Sequence, residues 1–353
     1  MDKYFSNKIK IISFISILMV VYLHAINITI KYINKIPYAD KLDINSFIQQ
    51  TVTNGITRVA VPMFFSISGY LFFLNLSPTL KGFFTKYKKR VFSLLIPYFC
   101  WNMSTLLFYY SIQSIHFFKI FFTKELIANY SFNEILYVIF INPIAYQLWF
   151  MVELLKYMLI CPILFITIKK VSYYSLVPFL VLWILNINLI VVRNEGILFF
   201  IFGSVLAIKK VDLKKSINSY LVIVVTFSWI IISFVNTFIS FKGIFIFPYI
   251  QKISIIFGII SIWYLYDICF NESRENKVLE YTSFTFFIYA FHEPTLTIIK
   301  KVILRLTGIS MYTNLFAYII SPILTIVLSI LIAILLKKYA TPLYRIITGG
   351  RIT

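Results

Sequence analysis

Runs of about twenty apolar residues, each long enough for a helix to cross about 30 Å of hydrocarbon, recur from one end of the chain to the other. They fall at 10–29, 55–76, 90–110, 146–168, 173–192, 195–208, 217–240, 248–270, 282–303 and 312–336. A chain of 353 residues that is 60% apolar, 19% aromatic and only 13% charged carries more apolar side chain than one soluble core can bury. The expected fold class is therefore all-α, a polytopic integral membrane protein with about ten transmembrane helices and the lipid bilayer as its solvent. The apolar stretch from about 133 to 145 is interrupted by Asn142 and Pro143 and reads as a re-entrant or surface segment. With no internal repeat, soluble domain or long linker in view, residues 1–353 are expected to form a single membrane-embedded domain.

The formal net charge of +20 does not indicate nucleic acid, because the basic residues sit in short clusters between apolar runs and not along one helix face. They act instead as topology signals. With the N-terminus inside, cytoplasmic segments hold about twenty Lys and Arg against about ten outside. The groups Lys86, Lys88, Lys89, Arg90 and Lys209, Lys210, Lys214, Lys215 weigh most, and both termini are expected on the cytoplasmic side. The first run follows a basic flank but is too long for a cleaved signal and lacks a small-residue cleavage site, so it is expected to remain as a signal anchor. Cys100, Cys161 and Cys269 are odd in number, lie in apolar stretches and have no metal-ligand spacing, and no metal is expected.

Ionisable groups inside the spans are the informative residues, since each costs about 2.5–3.5 kcal/mol or more at a helix centre. These are His24, Arg58, Glu153, Lys156, His292 and Glu293. At 1.5 Å per residue, His24 lies roughly 20 Å from the cytoplasmic side and His292 roughly 15 Å, with Arg58 and Glu153 within roughly 5–12 Å of the outer face. His24, His292, Arg58 and Glu153 can therefore meet in the outer half of the bilayer. A neutral imidazole there can take a proton from a hydroxyl. Arg58 and Glu153 read equally as a buried ion pair or as substrate-binding groups, while Lys156 and Glu293 read as structural. Lys252 and Asp267 lie near the ends of a span, where they can snorkel to water. No nucleophile elbow, phosphate loop or acidic metal cluster is present. Residue chemistry alone fits an acyltransferase and a proton-coupled transporter or flippase of a lipid-linked sugar equally, although the inverted repeats or paired broken helices of a transporter are not found.

The strings SILMVVYLHA (16–25), RVAVPMFFSISGYLFF (58–73) and RVFSLLIPYFCWN (90–102) resemble the first three span signatures of the acyltransferase 3 family of membrane O-acyltransferases. QLWFMVELLKYMLICPIL (147–164), GILFFIFGSVLAIKK (196–210) and SFTFFIYAFHEP (283–294) resemble its fourth, sixth and ninth. Six such strings in order over nearly the whole chain are specific where one alone is weak. The likeness runs closest to the branch containing the enterobacterial common antigen O-acetyltransferase. It implies an enzyme of the bacterial cytoplasmic membrane that moves an acyl group, by the branch an acetyl group, from acyl-CoA on the cytoplasmic side. The acceptor it implies is a hydroxyl of a surface polysaccharide or its lipid-linked precursor. By the same resemblance His24 is the catalytic base, and Arg58, Glu153 and His292 match further site positions. One departure is local: family members commonly carry an acidic residue 14 positions and a basic residue 11 positions before this histidine, where this chain has Lys10 and Ser13.

The basic excess predicts that the segment 77–89 faces the cytoplasm. A cysteine introduced at Thr85 should resist an impermeant thiol reagent applied to intact cells and react after permeabilisation. Labelling in intact cells would overturn the orientation.

Overall fold

The computed structural model describes residues 2–28, 43–116, 125–214, 217–270 and 272–351. Among them there is no strand, and the helices are α1 (Lys3–Ala25), α2 (Ile44–Phe73), α3 (Leu80–Ser114), α4 (Phe132–Phe140), α5 (Trp149–Leu159), α6 (Cys161–Ile184), α7 (Asn194–Ile208), α8 (Ser219–Phe241), α9 (Phe247–Cys269), α10 (Glu272–Thr282), α11 (Thr285–Thr307), α12 (Met311–Tyr339) and α13 (Thr341–Ile347). The chain is an all-α polytopic membrane protein. Residue 29 of the expected first span and Lys215 of the expected cytoplasmic cluster lie outside the described residues.

Seven described helices, α1, α2, α3, α6, α8, α9 and α12, are long and apolar enough to cross a membrane. The difference from ten has physical sources. α7 has only 15 residues. α11 has 23 but carries Glu293, Lys300 and Lys301. The fourth and fifth expected spans fall on α5 and α6, and α6 leaves the α-helical path at Ser172, where φ is +56° and a 3₁₀ stretch begins. The second span starts earlier than expected, at Ile44, so Asn45, Ser46 and Gln49 are buried helix residues and not part of a loop.

The chain forms two compact units, Met1–Asn75 with Ile163–Leu331, and Leu76–Pro162 with Ile332–Thr353. In the second unit, α3 opens with the Thr79 side chain accepting from Gly82 N–H at 3.1 Å. A π-helical turn follows at Val91–Leu95, just ahead of Pro97. Pro97 has no N–H to offer the carbonyl of Ser93, four residues back. Arg351 supplies the missing donor at 3.0 Å and also donates to Thr348 O at 2.7 Å. The Trp101 indole donates to Ile347 O at 2.9 Å, fastening the end of α13 to α3. The segment expected to be re-entrant or superficial contains α4, a nine-residue helix opened by a Ser131–Glu134 capping box and without a fully buried residue. Its last carbonyls are met by Tyr98 on Ile139 O at 2.7 Å and Asn102 on Val138 O at 2.9 Å, which answers groups a helix end leaves unpaired.

The first unit is organised around α1, which packs against α2, α9, α10 and α11. One face of α1 supplies Phe5, Ile9 and Ile12 to a core completed by Val59, Met63, Trp229, Ile262 and Tyr266. At one end Asp2 caps α1 by accepting from Phe5 N–H at 2.9 Å and pairs with Lys214, whose hydrogen bond and charge hold the Asp2 carboxyl below the usual carboxylate range. Lys8 is fully buried, bonded to both Asp267 oxygens at 2.7 and 2.8 Å, with its ammonium 4.7 Å from the Trp263 ring centre. Asp267, expected to snorkel without a role, is thus the counter-ion of a buried lysine. Lys252, expected to snorkel as well, is buried and donates to Ile184 O at 3.0 Å and Asn186 Oδ1 at 2.6 Å. At the other end of α1 the Gln49 amide bridges Asn27 Oδ1 at 2.8 Å and Asn45 Oδ1 at 2.7 Å, and Asn27 donates to Asn314 O at 2.8 Å.

α2 and α7 approach closely enough to exclude a side chain. A Cβ on Gly203 would lie 1.8 Å from Ser66 O, and one on Gly69 would lie 2.0 Å from Phe200 O. Small residues of this kind let membrane helices touch backbone to backbone. Gly203→Ala must therefore push the two helices apart, with an expected loss of about 1–3 kcal/mol. Thermal unfolding of the detergent-purified variant checks it, and an unchanged midpoint would contradict the contact.

Candidate active site

α1 ends at Ala25, and its last full turn carries His24. α11 brings His292 to the same place: the two imidazole rings stack with centroids 5.4 Å apart and an interplanar angle of 29°. The two histidines expected at compatible depths thus form one contact, while the third, His116, is exposed. His292 is completely buried. Its Nδ1 lies 2.7 Å from Tyr289 O and 3.2 Å from Ile288 O. Both neighbours are carbonyls and can only accept, so Nδ1 carries the proton, and in the neutral ring Nε2 is a lone-pair acceptor. That Nε2 is buried and has no hydrogen-bond partner among the described residues.

The local course of α11 sets this geometry. Pro294 lacks an N–H, and the backbone departs from helical angles at Glu293 (φ −115°, ψ 135°), so the helix is broken one residue after His292. Carbonyls near such a break lose helical donors, and the imidazole bonds to two of the carbonyls in the turn before it. Beyond the break, Lys300 is 3% exposed and donates to His24 O at 2.8 Å. That carbonyl is one of the four that the end of α1 leaves without an intrahelical donor, and a cation there is favoured by the helix dipole. Lys300 was not among the residues singled out from sequence.

Arg58 lies in the short 3₁₀ turn Thr57–Val59 of α2, which packs against α1. Its guanidinium is 3.2 Å from Glu195 Oε1, at the start of α7, and Glu195 Oε2 also accepts from the Trp183 indole at 3.3 Å. The sequence offered Glu153 as the partner of Arg58. The structure supplies Glu195, which opens the expected span 195–208 and is not among the ionisable residues singled out from sequence. A carboxylate in the first turn of a helix is also stabilised by the positive end of the helix dipole. Glu153 belongs to the second unit, where it is buried, with Lys156 Nζ on one oxygen and the Tyr157 hydroxyl on the other, each at 2.9 Å.

In this all-helical membrane protein a stacked histidine pair lies beside a buried lysine. A family model described as an acyltransferase domain matches residues 7–336, and the chain belongs to that family, acyltransferase 3. No curated protein and no solved structure matches it.

Arg58 and Glu195 side chains are 34% and 20% exposed, so the cost of removing either is less than for a fully buried pair, about 1–2 kcal/mol. Arg58→Met and Glu195→Met should each lower the unfolding midpoint, and the double variant should recover most of the larger loss. Strict additivity of the two would contradict the pairing.

Proposed function

We propose that this membrane acyltransferase is an O-acyltransferase, moving an acyl group, most simply acetyl, from acyl-CoA to a hydroxyl of a surface polysaccharide or its lipid-linked precursor. The proposed setting is the bacterial cytoplasmic membrane, with both termini cytoplasmic and about ten spans, as in the branch containing the enterobacterial common antigen O-acetyltransferase. The observation that supports this reading best is the His24–His292 stack, formed by two span motifs that resemble those of the family.

In this reading His24 removes the proton of the acceptor hydroxyl as the oxygen attacks the thioester carbonyl. His292, its Nδ1 proton committed to backbone carbonyls, offers Nε2 to orient either the hydroxyl or the His24 ring. General-base chemistry uses a neutral imidazole. The family resemblance marks Arg58 and Glu153 as further functional positions. Arg58 pairs with Glu195, and Glu153 bonds to Lys156 and Tyr157.

His24→Ala should reduce transfer of the acetyl group by about 10²–10⁴-fold while leaving membrane insertion and abundance nearly unchanged. O-acetyl content of the surface polysaccharide, measured against immunoblotted protein, reads both quantities. Normal acetylation by a correctly folded His24→Ala variant would remove the base assignment. Loss of the protein itself would make the histidine structural.

A further inference from the structure

Attack on a thioester places a negative charge on the carbonyl oxygen, and enzymes of acyl transfer meet it with preorganised donors. Sequence alone offers Arg58 or His292 for that role. Neither suits it in the structure. The Arg58 charge is already matched by Glu195 at 3.2 Å, and neutral His292 presents a lone pair and not a proton at Nε2. Lys300 does suit it. Its ammonium is buried, is fixed by a single hydrogen bond to His24 O at 2.8 Å, and has no other hydrogen-bond partner among the described residues. An ammonium has three N–H groups, so two remain for a ligand.

The geometry points to Lys300 as the residue that stabilises the oxyanion of the tetrahedral intermediate, an inference that rests on the acyl-transfer reading with His24 as base. The acceptor hydroxyl oxygen forms a bond to the acyl carbon while its proton passes to His24. The carbonyl π pair moves onto oxygen, where the two remaining Lys300 N–H groups hold it. The pair then re-forms the carbonyl, the carbon–sulfur bond breaks, and the CoA thiolate takes the proton back from the His24 imidazolium. The products are an ester and free CoA thiol, and no oxidant or further reactant enters. The unpaired His292 Nε2 and the two unpaired Lys300 N–H groups are complementary to this substrate pair, one hydroxyl donor and one carbonyl acceptor.

The alternative role for Lys300 is a cap on the end of α1 and nothing more. Three substitutions in the full chain separate the roles, assayed in lipid nanodiscs with acetyl-CoA as donor, the polysaccharide fraction of the expressing cells as acceptor, and thiol release as readout. Lys300→Met removes charge and donors, Lys300→Gln retains a neutral N–H donor for His24 O, and Lys300→Arg retains charge and donors. An oxyanion role predicts a kcat about 10²–10³-fold lower for Met and Gln, with KM for acetyl-CoA changed less than about threefold and partial recovery by Arg. It also predicts that the Gln variant unfolds at nearly the wild-type temperature. A Gln variant that restores both stability and kcat would reduce Lys300 to a cap and overturn the inference, as would a kcat within about threefold of wild type for folded Lys300→Met. His24→Ala in the same assay separates the two failures. If it is inactive while Lys300→Met is active, only the inference falls, whereas an active His24→Ala removes the base reading beneath it. A wild-type chain that releases no thiol overturns both.

Discussion

Lys8 enters the first unit on α1 with no exposed surface, and both oxygens of Asp267 hold its ammonium. At the opposite end of the same helix Lys300 holds the carbonyl of His24. Between these two cations α1 is lined on one face by Ile9 and Ile12, which give packing but little positional specificity. In hydrocarbon a broken polar contact is not replaced by water, so each end of α1 is fixed by an interaction whose loss leaves a buried charge. The placement of His24 depends on both. The helix can neither slide along its axis without separating Lys8 from Asp267 nor rotate without taking the His24 carbonyl from Lys300.

A second layer of constraint surrounds the first. Gly69 and Gly203 bring α2 and α7 into backbone contact, and Arg58 and Glu195 meet nearer the start of each helix. The two contacts together set the turn of α2 that packs on α1. The amide cluster of Asn27, Asn45 and Gln49 continues the same design past the end of α1, exchanging hydrogen bonds that water would otherwise supply. Thr53 with Tyr318 and Thr51 with Thr237, each 3.0 Å apart, extend it to α12 and α8. The buried polar groups of this unit are therefore of two kinds. Some are spent on one another, and others, His292 Nε2 and the Asn236 amide among them, have no hydrogen-bond partner among the described residues.

The fold class was legible because length and apolarity of a span are local properties, and the depth of His24 and His292 followed from the helical rise alone. What sequence could not show was partner choice. Arg58 was matched to Glu153 by depth, but depth carries no information about which helix lies alongside, and the partner is Glu195. Asn45, Ser46 and Gln49 fall ahead of the expected second span, and the hydrogen bonds that tie Gln49 to Asn27 and Asn45 are not visible in sequence. Lys252 reads as a snorkelling residue because near the end of a span a lysine can reach water, and only tertiary structure shows that it, like Lys8 and Lys300, turns inward. The signal that could have found Lys300 is its place two turns beyond the Glu293–Pro294 break, on a helix that pairs a buried histidine with a proline-interrupted ladder.

The account makes the His24–His292 stack the place where the acyl group changes hands. An experimental structure of the chain in lipid with a non-hydrolysable acetyl-CoA analogue, the thioester sulfur replaced by a methylene, tests that placement directly. The account predicts the acyl carbonyl carbon beside the His24 imidazole and its oxygen within about 3 Å of Lys300 Nζ, the reach of a hydrogen bond. An acyl group lodged away from both histidines, with their rings still in contact and dry, would contradict it.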